Sequence, residues 1–159
     1  MNTASVSDLK EELKTLKPAQ LIELCLRLSR FKKENKELLT YLLFEAHNEE
    51  GYVSGIKTEI NELFGEINLS HLYFAKKSLR KIVRIINKYC RYSGAKQTDI
   101  ELRLHFCKQL IASGIPIKRN QLILNIYNSQ VKKIDGLLKV LHEDLQYEYK
   151  RAREKLVLD

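Results

Sequence analysis

The stretch Ser70–Tyr92, SHLYFAKKSLRKIVRIINKYCRY, has the periodicity of one long amphipathic helix. At about 100° per residue, one flank of this helix is apolar and the opposite flank is basic. The apolar flank consists of Leu72, Ala75, Leu79, Ile82, Val83, Ile86 and Tyr89. The basic flank consists of Lys76, Lys77, Arg80, Lys81, Arg84, Lys88 and Arg91. The sequence has no Asp or Glu between Glu66 and Asp99, so the segment contains no partner for this charge.

The composition of the whole chain favours helices joined by short turns. The 159 residues are 44% hydrophobic, with only two prolines and six glycines, and they lack the alternating runs expected of strands. We therefore predict an all-α fold of six or seven helices in one domain, residues 1–159, with a subdivision, if any, near 94–98. The short N-terminal helices and the central basic helix should pack along a long C-terminal helix.

The positive charge of the chain is concentrated in its centre. The formal net charge is +8, yet residues 1–66 sum to −3 and residues 99–159 to +3, whereas residues 67–98 alone carry eight cations and no carboxylate. Such a surface could attract nucleic acid, an anionic membrane surface or an acidic protein.

The cysteine content and the hydropathy of the sequence indicate the cellular compartment of the protein. The three cysteines, Cys25, Cys90 and Cys107, are too few and too scattered for a disulfide framework, and each lies in an apolar helical pattern. No signal-peptide h-region and no apolar stretch of about 18 residues occurs. These features predict a cytoplasmic protein with no membrane span.

Local signals predict the boundaries of the N-terminal helices. Ser5 or Ser7 can cap the first helix, Pro18 suits the first position of the second, and the chain should turn near residues 30–35. Asn48 can cap a later helix. The cluster between them is apolar nearly all round and is predicted to be the centre of the N-terminal core; it comprises Leu38, Leu39, Tyr41, Leu42, Leu43 and Phe44.

Glycines and a capping motif divide the second half of the chain. Ser93-Gly94 should end the basic helix, and Ser113-Gly114 should end the following one. Thr98 and Glu101 have the spacing of a capping box, which predicts a helix start at that point. The helix so started carries the apolar residues Ile100, Leu104, Cys107, Leu110 and Ile111.

The remaining residues, 119–157, predict one long helix. Its apolar positions approach the 4,3 alternation of a coiled coil; they are Tyr127, Val131, Ile134, Leu138, Leu141, Leu145 and Ala152. Packing of this helix on the shorter helices of the same chain and a homodimeric seam both remain open.

One segment resembles known sequences. The opening LKPAQLIELCLRLSRFKKENKELLTYLLFEA, residues 16–46, looks like the N-terminal part of an uncharacterised group of small bacterial helical proteins. The resemblance is confined to the N-terminal third of the chain and includes no catalytic motif. It therefore implies helical structure there and assigns no activity, cofactor or site residue.

The basic flank is the candidate site. Cations about one turn apart can follow a row of phosphates or meet an acidic surface, and Tyr73, Phe74 and Tyr92 could supply aromatic contacts. The alternative is a solvated helix face, or one paired internally with carboxylates of the preceding helix, namely Glu59, Glu62 and Glu66. No helix-turn-helix, zinc-finger or RNP sequence identifies a nucleic-acid-binding module.

Catalytic and metal-binding patterns are weak throughout. His105 and Cys107 are close in sequence, but an i, i+2 pair on a helix points in nearly opposite directions. The chain has no C-x-x-C, H-E-x-x-H or glycine-rich phosphate loop. We therefore predict no catalytic residue, metal or cofactor. The expected function is a non-enzymatic protein-interaction domain that uses the basic helix face, with nucleic-acid binding by the same face as the alternative.

Overall fold

A computed structural model describes residues 2–158 of the chain, and this part of the chain is all-helical. It contains eight α-helices and one π-helical segment, and it contains no strand. The all-α prediction is confirmed, whereas the predicted count of six or seven helices is too low. The helices are α1 (Val6–Thr15), α2 (Pro18–Phe31), α3 (Lys33–Thr40), α4 (Glu49–Gly65), α5 (Leu72–Ser93), α6 (Lys96–Ala112), α7 (Gln121–Leu138) and α8 (Glu143–Glu154). The π-helical segment, Tyr41–Glu45, follows α3.

Residues up to Phe44 form one compact unit and residues from Glu45 onward form another. The sequence suggested one domain with any subdivision near 94–98. Those residues instead connect α5 to α6 within the second unit, where the two helices pack against each other.

The first unit begins as its sequence predicts. Ser5 caps α1: the Ser5 hydroxyl accepts a hydrogen bond from the Asp8 amide, and the Asp8 carboxylate accepts one from the Ser5 amide. Pro18 is the first residue of α2, and the predicted turn near residues 30–35 lies at Lys32. Asn35 fixes this turn by donating a side-chain hydrogen bond of 2.9 Å to the Leu28 carbonyl.

The predicted centre of the N-terminal core is wrong for half of its six residues. Tyr41 is buried and Leu38 and Leu39 are half-buried, but Leu42, Leu43 and Phe44 are all more than half exposed. An apolar composition all round a helix indicates that burial is favourable. It does not supply the neighbouring elements that burial requires.

The second unit is built around α6, which packs against α4, α5, α7 and α8. Its buried apolar residues point in several directions, because a helix with neighbours on several sides needs apolar residues all round; they are Ile100, Leu102, Leu104, Phe106, Cys107 and Leu110. Ile111, which was assigned to this stripe, lies on the exposed side. The phenyl rings of Phe106 and Phe64 pack with their centroids 5.5 Å apart, which joins α6 to α4.

Local stop and start signals in the second unit are mostly confirmed. Asn48 caps α4 by accepting a hydrogen bond from the Gly51 amide, and Gly94 and Gly114 adopt the left-handed conformation after α5 and α6. The Thr98 capping box is wrong, because α6 starts three residues earlier, with Ala95 as its N-cap residue. Thr98 is instead buried and donates its hydroxyl hydrogen bond to Glu49.

The predicted long C-terminal helix is interrupted. Residues 139–142 separate α7 from α8, and α8 packs back against α6 and α7. Polar contacts hold it there: the Arg153 guanidinium binds Asp135 at 2.8 and 3.2 Å, and the Tyr127 hydroxyl donates to the Leu156 carbonyl at 3.1 Å. Three seam residues, Tyr127, Ile134 and Leu138, are buried in the core of this unit. These three residues therefore contribute to packing within the chain.

Across residues 2–158, no helix combines the length and the apolar character that crossing a bilayer requires.

Candidate functional site

The amphipathic division of α5 sets the geometry of the site. Ala75, Leu79, Ile82 and Ile86 are almost fully buried against the neighbouring helices. The basic residues lie on the other side, where Lys77, Arg80, Lys81, Arg84 and Arg91 are exposed and Lys76 and Lys88 are half-buried.

The cations of this face have few partners. Among residues 2–158, the structure shows no ion pair and no side-chain hydrogen bond made by Lys76, Lys77, Arg80, Lys81, Arg84 or Arg91. Lys88 differs, because its Nζ lies 4.8 Å from the centre of the Tyr89 ring. Internal pairing with Glu59 does not involve these cations: Glu59 accepts a hydrogen bond of 2.8 Å from the Tyr89 hydroxyl.

Four of the seven cations line a groove between α5 and α7. The groove is open to solvent and encloses about 680 Å³. Lys76, Lys77, Arg80 and Arg84 form its α5 side, with Tyr73 nearby. Lys81, Lys88 and Arg91 do not line the groove, so the structure divides the basic face into two groups.

The floor of the groove is mostly apolar. Val83 of α5 and Leu122 and Ile126 of α7 line it, and Leu122 is 45% exposed. Ser129 and Gln130 add the polar groups of the floor. An apolar floor beside cations suits a ligand that carries both apolar groups and negative charge.

A buried polar network supports the floor from behind. Gln130 is only 2% exposed, and its Oε1 accepts a hydrogen bond from Nη1 of the buried Arg103. The other Arg103 amino group donates to Asn87 Oδ1 at 2.9 Å, and Lys133 Nζ donates to the same oxygen at 3.3 Å. The Gln130 amide is held at both ends, because its Oε1 is bound by Arg103 and its Nε2 donates to the Ser129 hydroxyl.

Asp99 balances the charge of Arg103. Arg103 Nε and Asp99 Oδ1 lie 2.5 Å apart as an ion pair, although their alignment is too poor for a hydrogen bond. Burial, followed by the nearby Arg103 guanidinium, lowers the pKa of Lys133. The network therefore joins α5, α6 and α7 beneath the groove.

The three candidate aromatic residues have different environments. Tyr73 is 68% exposed and lines the groove, and Phe74 is about half exposed with its ring 5.5 Å from that of Tyr73. Tyr92 is buried, and its ring packs edge-on against Tyr89. A ligand could therefore reach Tyr73 and Phe74, but Tyr92 is corrected to a core residue.

A second polar cluster joins α4, α6 and α8. Glu101, the expected partner of Thr98, instead accepts hydrogen bonds from Lys57 at 2.7 Å and from the Tyr149 hydroxyl at 2.9 Å. Burial and this bond to Glu101 raise the pKa of Tyr149 above its usual range. His105 Nε2 lies 2.7 Å from Asn61 Oδ1, and burial, followed by Lys57, lowers the pKa of His105. Because each group is engaged by another helix, the cluster fastens α8 to the unit.

The cysteines are distributed between surface and core. Cys25 is exposed, whereas Cys90 and Cys107 are buried, and burial raises the pKa of each of these two thiols to about 12. Within residues 2–158, no three His, Cys, Asp or Glu side chains are grouped closely enough to hold a metal ion.

The α7 side of the groove was missed from the sequence. Leu122 and Ile126 are four residues apart and adjoin the buried positions Ile123 and Tyr127, so a second, partly exposed stripe on α7 is visible in the sequence. Nothing in the sequence shows that this stripe lies beside the basic flank of α5. No protein-family model, curated protein or solved structure matches the chain.

Proposed function

We propose that this chain is a non-enzymatic interaction domain that binds an acidic protein segment in the groove between α5 and α7. The observation that carries the proposal is the row Lys76, Lys77, Arg80 and Arg84, which lacks carboxylate partners among the described residues and borders an apolar floor. A protein segment can offer carboxylates and apolar side chains together, which matches both parts of the groove.

The chemistry of the lining supports a binding role. Among the described residues that line the groove there is no carboxylate, histidine or cysteine, so it offers no carboxylate or imidazole for general acid–base catalysis and no thiol nucleophile. The basic groups would also accelerate association, because exposed charge steers an oppositely charged partner.

The test uses two charge-matched double variants. A labelled polyglutamate peptide of about 20 residues is titrated at low salt and followed by fluorescence anisotropy. Arg80→Glu with Arg84→Glu should weaken binding at least tenfold, about 1.4 kcal/mol, which is the size expected for two exposed ion pairs. Lys81→Glu with Arg91→Glu changes the net charge of the protein equally but lies outside the groove, and should change the affinity about twofold or less.

Two results would contradict the proposal. One is an equal loss of affinity in both double variants, because the attraction would then depend on net charge alone. The other is an absence of polyglutamate binding to the wild-type protein at about 50 mM salt, where surface electrostatics are strong.

The alternative function is binding of single-stranded nucleic acid in the same groove. The exposed ring of Tyr73 beside the cations favours it, because bases stack on such rings at about 1–3 kcal/mol each. Four phosphate contacts would give a slope of about −3 in a plot of log affinity against log salt. Tyr73→Ala should then weaken binding of a 20-nucleotide strand more than binding of polyglutamate. No affinity for DNA or RNA strands at low salt would eliminate this alternative.

A further inference from the structure

The groove offers a ligand no free backbone hydrogen-bonding groups. Both sides of the groove are α-helices, and their backbone groups are used within α5 and α7. An extended peptide would therefore find no backbone partners there, unlike a peptide added to the edge of a sheet. A helix needs none. The residues from Tyr73 to Arg84 cover about 16 Å, which corresponds to about three helical turns.

The charge of the groove is one-sided. The cations belong to α5, whereas the α7 side contributes Leu122, Ile126, Ser129 and Gln130, which are uncharged. A matching helix therefore has an apolar ridge for the floor and carboxylates along the flank that faces α5. Its other flank needs no negative charge.

The helix α1 of this chain has such a ridge. It is ten residues long, about three turns, and it buries none of its residues. At about 100° per residue, Val6, Leu9 and Leu13 lie on one side of it. These residues are 84%, 51% and 38% exposed.

The two flanks of α1 carry opposite charges. Asp8 and Glu12 lie on one side of the ridge, and Lys10 and Lys14 lie on the other. Glu12 is exposed and forms no ion pair with any residue of the described part of the chain. Asp8 uses Oδ2 to cap the helix, which leaves its second oxygen available.

The charged flank of α1 matches the spacing of the groove. Asp8 and Glu12 are four residues apart, as are Arg80 and Arg84, so both pairs are about 6 Å apart along their helices. Carboxylate and guanidinium groups at this spacing can form two parallel ion pairs. With α1 in this orientation, Lys10 and Lys14 face the uncharged α7 side.

We propose that the groove binds α1 of a second copy of this chain, and that two copies exchange their α1 helices to form a closed dimer. The proposal rests on the proposed function of the groove and names its partner. Reciprocal exchange uses the same two surfaces in both copies, as closed two-fold symmetry requires. Each three-turn helix binds weakly alone, but the two contacts of one dimer act together.

Sedimentation equilibrium of the full chain at about 50 mM salt tests the exchange. The wild-type protein should dimerise as its concentration rises, and Glu12→Lys or Arg84→Glu alone should weaken the dimer at least tenfold, because each places like charges opposite one another. An equimolar mixture of these two variants should recover the dimer, because both exchanged contacts then join opposite charges. Lys81→Glu, on the same helix outside the groove, is the matched control and should dimerise normally.

The apolar ridge has its own test. Leu9→Ser with Leu13→Ser should abolish dimerisation by removing the groups that cover the floor. Ile22→Ser, an equally polar change at an exposed position of α2, should leave the dimer intact.

The proposal is overturned if the wild-type chain stays monomeric to about 0.5 mM, above the range of ordinary specific affinities. It is also overturned if the mixture of Glu12→Lys and Arg84→Glu associates no better than either variant alone. Groove-dependent binding of polyglutamate by a monomeric chain would overturn the assignment of a second copy and leave the proposed function standing. A dimer that shows the charge-swap recovery without polyglutamate binding would support the exchange and limit the proposed function to this one partner.

Discussion

The two units of the molecule use similar helical sequences with opposite results. In the second unit, the apolar stripes of α4, α5, α6 and α7 cover one another, and residues such as Ile60, Leu79 and Phe106 are inaccessible to solvent. In the first unit, Ile22, Leu28 and Phe31 of α2 are more than half exposed. The periodicity of a helix shows where its apolar stripe lies. Burial depends on how many neighbouring helices the rest of the chain provides.

The largest expected difference between the two units is in thiol reactivity. With pKa values of about 12, Cys90 and Cys107 are ionised to about one part in ten thousand at pH 8, and the fold also blocks access to them. Cys25 is exposed in α2 and should react with a maleimide at least a thousandfold faster. Mass spectrometry of the labelled chain with time counts the modified thiols. Labelling of two or three thiols at one rate would contradict the burial of the core cysteines.

The same two thiols predict the alkaline behaviour of the second unit. The fold keeps Cys90 and Cys107 protonated, whereas the unfolded chain loses these protons above about pH 8.5. The free energy of unfolding should therefore fall as the pH rises from about 9 towards 12. Cys107→Ala should reduce this pH dependence, which urea titrations at several pH values would measure.

Truncation of apolar side chains should change the free energy of unfolding much more in the second unit than in the first. Phe106→Ala removes a fully buried ring that packs on Phe64, and should cost about 3–5 kcal/mol of unfolding free energy. Leu28→Ala removes a side chain that is 53% exposed, and should cost about 0.5 kcal/mol or less. Urea unfolding followed by circular dichroism gives both values. Similar costs would show that Leu28 is covered in solution.

Breaking the polar network beneath the groove should have a slightly smaller effect. Arg103→Ala leaves Asp99 without its partner and Gln130 Oε1 without its donor, and should cost about 3 kcal/mol. Arg103→Met with Asp99→Asn removes both charges and should recover part of this loss. If the single variant is as stable as the wild type, the network does not hold α6 to α7.

Helix caps should show the smallest difference. Asn48→Ala removes the acceptor for the Gly51 amide and should lower the unfolding free energy of the second unit by about 1 kcal/mol. Ser5→Ala removes the equivalent acceptor in α1 and should reduce helical content in the circular dichroism spectrum without moving the main unfolding transition. A shift of the main transition by Ser5→Ala would mean that α1 contributes to the stability of the second unit.

The sequence predicted those helix ends that are determined by residues close to one another in the chain. Ser5, Pro18, Asn48, Gly94 and Gly114 each act within one helical turn, and each marks a helix end as expected. Residues 139–142 contain no glycine or proline, so the break between α7 and α8 lacks the usual stop signal, and only the acidic pair Glu143 and Asp144 marks the first turn of α8. Tertiary contacts favour it, because Tyr127, Asp135 and Glu101 hold α8 against the unit.

The candidate site was predictable in part for the same reason. The basic flank of α5 follows from periodicity alone, and the structure exposes most of its cations. The groove also needs Leu122 and Ile126, which are distant in sequence and lie beside α5 because α7 packs against both α5 and α6. Thr98 and Glu101 were wrongly predicted from sequence alone. Their spacing is typical of a helix start, but in the structure their side chains contact α4 and α8.

The connection between α5 and α6 has a consequence for the rate of folding. Only Gly94 and Ala95 separate the two helices, and the left-handed glycine reverses the chain without a long loop. Closing so short a connection costs little chain entropy. Most helix contacts of the second unit join elements that are adjacent or next-adjacent in sequence, so its contact order is low. We expect this unit to fold in microseconds to milliseconds, with the α5–α6 pair among the first contacts to form.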